Sequence, residues 1–189
     1  MKKCNGFTLI ELMISVSIVA IVAAIVIPNF NEFIVRMRVD NEISQLHRLL
    51  LTARNSAINA NRDVTLCPID NNSHCTTDWQ NNIIVFVDIN DDSIYSPELN
   101  EVIIRIKSSA KINDKLQYGL FRKKIKFAAT GRTTGWGSNG TLKYCPEHNT
   151  ELSRAIVIAT SGRFYPSTDI DLDGKDEIRN GNEITCRID

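Results

Sequence analysis

Gly6-Phe7-Thr8-Leu9-Ile10-Glu11-Leu12 opens an apolar run that continues through Met13-Ile14-Ser15-Val16-Ser17-Ile18-Val19-Ala20-Ile21-Val22-Ala23-Ala24-Ile25-Val26-Ile27 and stops at Pro28. Glu11 is its one charged residue. About 20 apolar residues, rising 1.5 Å each, cross the hydrocarbon core of a bilayer. Residues 7–28 therefore read as a transmembrane helix. A cleaved secretory signal would have a shorter apolar core and a small-residue cleavage site after it. Here the run ends in Ile27-Pro28-Asn29-Phe30. A plain anchor explains Lys2 and Lys3 as residues kept on the inner side of the membrane, but not Glu11. A carboxylate inside the apolar run costs roughly 2.5–3.5 kcal/mol on insertion scales. A group that expensive usually has a partner.

Pro28 lacks a backbone donor and kinks or breaks a helix. Beyond it, apolar residues recur in steps of three and four at Phe30, Phe33, Ile34 and Met37, then Ile43, Leu46, Leu50, Ala53 and Ala57. Polar Arg36, Arg38, Glu42, Gln45 and Arg48 fall mostly between them. That is the mark of an amphipathic helix. It predicts one long helix from Thr8 to about Asn59, bent at Pro28, with residues 29–60 laid against a globular domain. The pattern holds for under four heptads and lacks ordered flanking charges, which argues against a coiled coil.

From Asp63 the texture changes to short β-rich runs separated by Asn, Asp, Ser and Gly clusters. The runs are Val64–Leu66, Ile83–Val87, Val102–Ile106, Leu116–Phe121, Ile125–Ala128, Thr141–Tyr144, Ala155–Thr160 and Glu183–Arg187. The expected class is α+β, a long N-terminal helix packed on an antiparallel β domain over residues 61–189. Composition agrees. The 22 basic residues balance the 22 acidic ones in a chain of 189, which excludes a polybasic nucleic-acid coat and an acidic tail. A hydrophobic content of 43% excludes wholesale disorder.

Lys2-Lys3-x-x-Gly6 followed by Phe7-Thr8-Leu9-Ile10-Glu11-Leu12 resembles the N-terminus of type IV pilins and type II secretion pseudopilins. The resemblance implies that residues 1–6 are a leader, that a prepilin peptidase cuts after Gly6, and that the new N-terminal Phe7 is methylated. Cleavage would leave an α-amino cation at Phe7 one helical turn from Glu11. In a bundle of such helices, Glu11 of one subunit could meet the Phe7 amine of a neighbour and neutralise two costly charges.

The β region narrows the resemblance. Val64-Thr65-Leu66-Cys67-Pro68, Trp79 and Ile84-Val85-Phe86-Val87-Asp88 resemble the GspH/FimT branch of minor pilins and pseudopilins. So do Phe127-Ala128-Ala129-Thr130-Gly131-Arg132, Gly140-Thr141-Leu142-Lys143-Tyr144-Cys145 and Arg154–Ile158 with Ser161-Gly162-Arg163. The tail after about residue 164 reads as an extension. What the resemblance implies is a pilin fold in a single-pass protein of the bacterial inner membrane, with Lys2 and Lys3 cytoplasmic and residues after Pro28 periplasmic. Its partners would be the prepilin peptidase and other minor pilins, in a complex that primes pilus assembly. The alternatives are a type II secretion pseudopilin, where the same helix builds a short periplasmic piston, and a DNA-binding pilin.

Cys4 lies in the expected leader, leaving Cys67, Cys75, Cys145 and Cys186. An even number in an exported domain reads as disulfides. Three pairings are open. The favoured one is Cys67–Cys75, closing a local loop, with Cys145–Cys186 pinning the tail. Zinc would want close Cys-x-x-Cys pairs, and the chain has none.

Other motifs have two readings each. Gly135-Trp136-Gly137-Ser138-Asn139-Gly140 has dinucleotide-loop spacing but lacks the strand before and the helix after, so it reads as a turn. Asp169-Ile170-Asp171-Leu172-Asp173-Gly174, with Asp176 and Glu177, resembles the start of a calcium loop. An EF-hand would place its bidentate Glu where Asn180 stands, and an Asp/Gly-rich turn is the competing reading. Asp88-Ile89-Asn90-Asp91-Asp92 is a poorer echo.

Arg122, Lys123, Lys124 and Lys126 interleave with Phe121 and Phe127, a pattern that binds nucleic acid or forms an exposed basic strand. Some FimT-type pilins bind DNA through Gly-Arg-x-Arg. Here Gly162-Arg163-Phe164-Tyr165 keeps only the first Arg, so DNA binding through Arg122, Lys123, Lys124, Lys126 and Arg163 is expected to be weak. No G-x-S-x-G or H-E-x-x-H is present, and His47, His74 and His148 are scattered. Neither an enzyme nor a resident cofactor is expected, calcium apart.

Overall fold

The computed structural model describes residues 6–186. The leader before Gly6 and the end of the expected strand Glu183–Arg187 lie outside them. The chain divides into two compact units at Met37/Arg38. Helix α1, Leu9–Ala60, contributes to both.

In the first unit, α1 is helical throughout. Its large apolar side chains are exposed, from Leu9 through Ile27 and on to Phe30, Phe33, Ile34 and Met37. In the second unit, Val39, Ile43, Leu46, Leu49, Leu50, Ala53 and Ala57 of α1 are buried. The periodic stripe from Phe30 to Met37 is real, but its side chains are exposed, and burial starts at Val39.

The β domain holds β1 (Val64–Pro68), β2 (Ile83–Phe86), β3 (Ile103–Lys107), β4 (Lys115–Tyr118), β5 (Ile125–Phe127), β6 (Thr133–Thr134), β7 (Gly140–Cys145), β8 (Arg154–Ile158) and β9 (Phe164–Pro166). They form two antiparallel sheets, one in the order β3-β2-β1-β5-β6 and the other β4-β7-β8-β9. Strand β1 is buried at every residue, and its one hydroxyl, Thr65, donates to the buried Asp88 carboxylate at 3.3 Å. The tail does not form the expected strand. Glu183 makes only an isolated bridge to Glu177. The expected run to Phe121 also stops early. Strand β4 ends at Tyr118, and the chain turns through Gly119–Phe121, with Phe121 at φ 57°.

Two matching turns, one from each sheet, pack against one another. Ala128-Ala129-Thr130-Gly131-Arg132 links β5 to β6, and Ala159-Thr160-Ser161-Gly162-Arg163 links β8 to β9. Each closes with the same pair of backbone hydrogen bonds, the Ala N–H donating to the Arg carbonyl and the Gly N–H to the Ala carbonyl. They meet face to face. A Cβ on Gly162 would lie 1.9 Å from the Gly131 carbonyl oxygen, at φ 78°, so only glycine fits. Disulfides join Cys67 to Cys75 and Cys145 to Cys186. The second ties β7 to the end of the described chain.

Candidate functional site

At the N-terminal end of α1, Phe7 is 85% exposed. Thr8 sits just before the helix and its carbonyl accepts the first helical bond, from the Leu12 N–H. The Thr8 Oγ1 accepts the Glu11 N–H at 3.3 Å. In return the Glu11 carboxylate accepts the Thr8 N–H at 2.9 Å and the Thr8 hydroxyl at 2.8 Å. This reciprocal arrangement is a capping box. Within a single chain Glu11 therefore satisfies the orphan donors of its own helix end. Sequence reasoning missed this role, although Thr-x-x-Glu before an apolar run is its signature. Among the described residues, α1 is the one helix long and apolar enough to cross a membrane. It runs on through position 28.

The structure does not present Arg122, Lys123, Lys124 and Lys126 as one free basic strand. The Lys124 ammonium lies 2.9 Å from Asp91 and donates to the Ser93 hydroxyl. Lys126 pairs with Asp63 at 3.0 Å and Asp91 at 3.1 Å. Burial works to lower the Lys126 pKa, but these carboxylates outweigh it and hold it above the ordinary value. The hydrogen bond from Lys124 holds the Asp91 carboxyl below its ordinary value. Arg122 lies over the Tyr118 ring, 5.6 Å from its centre, and its carbonyl accepts the Trp79 indole N–H at 2.9 Å. These cations belong to the domain's own packing.

Lys123 and Arg163 are exposed and make no ion pair among the described residues. Arg163 lines a pocket with His47, Arg54, Tyr165 and Arg179. There the Arg179 guanidinium stacks 3.9 Å from the centre of the Tyr165 ring. The C-terminal extension thus brings Arg179 into the pocket that Arg163 lines.

The Gly135–Gly140 segment is a loop that leads into β7, not into a helix. Ser138 inside it is buried and accepts the Lys126 backbone N–H at 3.1 Å. The acidic loop is also rearranged relative to expectation. Asp176 turns inward, 2.9 Å from the Arg154 guanidinium and accepting the Ser167 hydroxyl at 2.6 Å. Glu177 takes its place beside Asp169, Asp171 and Asp173.

An apolar N-terminal helix continuing into a two-sheet antiparallel domain is the pilin fold. The type IV minor pilin FimU of Pseudomonas aeruginosa has a similar fold. In one crystal form the TM-score is 0.54 at 18% identity, covering 70% of this chain and 90% of that one. In another it is 0.50 at 17%, covering 66% and 89%. The family described as Type II transport protein GspH matches residues 42–162, and the prokaryotic N-terminal methylation motif matches residues 1–27. The chain belongs to the GspH family, as a GspH/FimT-like member of the type IV pilin-like proteins. A fimbrial protein of Pseudomonas aeruginosa is 44% identical over 64 residues, 34% of this chain and 41% of that protein. A probable minor fimbrial protein of Dichelobacter nodosus is 43% identical over 51 residues, 27% and 32% of the two chains. The matches thus span less than half the length of these relatives.

Proposed function

We propose that the chain is a structural subunit rather than an enzyme, a minor pilin held in the bacterial inner membrane by residues 7–28. A prepilin peptidase removes residues 1–6, and the exposed apolar helix then joins a complex of minor pilins that primes fibre assembly. One observation carries the reading. The stretch from Leu9 to Ile27, whose large apolar side chains are exposed, carries a single carboxylate, Glu11, at its N-terminal end. A lipid-embedded helix with one charge next to a new amine is built to meet another such helix. The type II secretion pseudopilin reading shares this helix and is supported by the family match itself. Genomic neighbours would separate the two.

The capping box suggests a sharper test than alanine alone. Glutamine also serves at the third position of a capping box, so Glu11→Gln keeps the cap and loses the charge. Membrane insertion of Glu11→Ala and Glu11→Gln is expected to match wild type, because neither substitution adds a charge. Cross-linking to neighbouring minor pilins is expected to fall about tenfold in both, the equivalent of ~1.4 kcal/mol. Normal cross-linking of the Gln variant would reduce Glu11 to a helix cap.

DNA binding is a second reading, favoured by Arg163, Arg54 and Arg179 lining one pocket. Three phosphate contacts lose about 40-fold in affinity between 50 and 200 mM salt. Gel shifts of the full chain in detergent across a salt series are expected to show weak binding with at most that slope. Replacing Arg163 and Arg179 together should abolish it, while replacing Lys124 should not. Tight binding that survives 200 mM salt would make DNA capture the primary function.

A further inference from the structure

We propose that Asp169, Asp171, Asp173 and Glu177 form a calcium site in the segment between β9 and Cys186. The spacing is that of a hard-cation loop, with carboxylates at the first, third and fifth positions, Gly174 at the sixth and Glu177 at the ninth. One carboxylate oxygen from each of the four residues lies within 4.8 Å of all the others. Ligands at 2.3–2.6 Å on opposite sides of a calcium ion stand up to ~5 Å apart, so the cluster has the right size to surround one.

The decisive observation is Glu177. The residue is only 4% exposed. Its Oε2 accepts the Ile170 N–H at 2.7 Å, but its Oε1 is buried and has no hydrogen-bond partner. A buried carboxylate oxygen without a donor is expensive. Among the described residues no cation pairs with Glu177. The Arg154 guanidinium goes to Asp176. Lys175 reaches Asp173 at 3.5 Å and Glu183 at 3.1 Å, at the edge of the cluster. Four carboxylates around one point, one of them with a buried oxygen that no donor answers, call for a divalent cation.

The donor set selects among cations. All four ligands are carboxylate oxygens, which suits calcium or magnesium and not zinc or copper. A donor set of several protein carboxylates favours calcium, because magnesium demands a tighter octahedron and keeps its waters. The loop is closed at its base by paired backbone hydrogen bonds between Thr168 and Glu177, at 3.0 and 3.1 Å. A bound ion would therefore fix the segment that carries Arg179 and leads to Cys186. This loop lies beyond residues 42–162, the part matched by the GspH family, so the site belongs to this chain's extension.

The test is titration of the EGTA-treated full chain in detergent with calcium chloride, and separately with magnesium chloride, by calorimetry and thermal unfolding. One saturable calcium site per chain is expected, with a dissociation constant in the ~10⁻⁴–10⁻³ M range of extracellular modules. At a hundredfold excess over that constant, the unfolding midpoint should rise by ~5 °C. Magnesium should give less than half that shift. Asp171 is exposed, and its one hydrogen bond, accepted from the Asp173 N–H at 3.2 Å, can equally be accepted by an amide oxygen, so Asp171→Asn should keep the calcium-free midpoint and lose at least tenfold in affinity. Glu177→Gln should abolish the shift. No calcium response up to about 10 mM, ten times the weak end of that range, would overturn the proposal. So would a response that Asp171→Asn and Glu177→Gln leave unchanged.

Discussion

Replacing Asp114 with alanine is expected to destabilise the β domain by about 3–5 kcal/mol, the range for breaking a buried ion pair from one side. The Asp114 side chain is 1% exposed and lies 2.8 Å from the Arg38 guanidinium of α1. It also accepts the Tyr144 hydroxyl of β7 at 2.5 Å and the Glu147 N–H at 2.9 Å. One carboxylate thus joins the helix, the middle of the four-stranded sheet and the chain just past Cys145. Burial and the nearby Asp114 charge keep the Tyr144 phenol protonated far above its ordinary range. Alanine would leave the guanidinium, the phenol and the amide without their acceptor in a closed interior. Asparagine keeps an acceptor but loses the charge, so Asp114→Asn should cost about half as much. Thermal unfolding of the full chain in detergent, followed by Trp79 and Trp136 fluorescence, is the measurement. A midpoint lowered by ~10 °C is expected for alanine. A fall of under ~2 °C would mean that Arg38 and Tyr144 find other partners.

Asp114 was invisible in the sequence, and the reason is general. A charge's partner is set by tertiary register, so nothing near Asn113-Asp114-Lys115 points to Arg38 or Tyr144. The same holds for Lys124 and Lys126, whose partners Asp91 and Asp63 are distant in the chain. Periodicity was a safer guide. Ile43, Leu46, Leu50, Ala53 and Ala57 are all buried as their spacing predicts. The stripe from Phe30 to Met37 has the same spacing and is exposed, because periodicity reports that a helix has an apolar face, not what covers it. Strand β9 escaped notice because it is three residues long and ends in Pro166 at a sheet edge, where proline is tolerated. In the acidic loop, residue types showed the cluster but not its membership. The bridge between Thr168 and Glu177 sends neighbouring side chains to opposite faces, so Asp176 meets Arg154 while Glu177 meets the aspartates.

Blocking the cut after Gly6 is expected to remove essentially all of the assembled protein while leaving the fold intact. The structure separates these two effects, because a Cβ added at Gly6 would meet nothing within 4 Å. A Gly6→Val variant therefore has no packing cost within the chain, and any loss must come from a peptidase site too tight for a side chain. In the wild type, intact mass and N-terminal sequencing of membrane-extracted protein should find Phe7 first. Cleavage would remove Lys2 and Lys3 and take the count from 22 basic residues to 22 − 2 = 20, against 22 acidic. In the variant the leader stays, and no α-amine forms beside Thr8 and Glu11. If that amine is the partner that a neighbour's Glu11 needs, Gly6→Val should lose the same cross-links as Glu11→Gln. The double variant should then be no worse than either single one, the non-additivity expected of two halves of one interaction. Additive losses would show that processing and the carboxylate act separately. Met1 retained in the wild type in the presence of a prepilin peptidase would remove the basis for both.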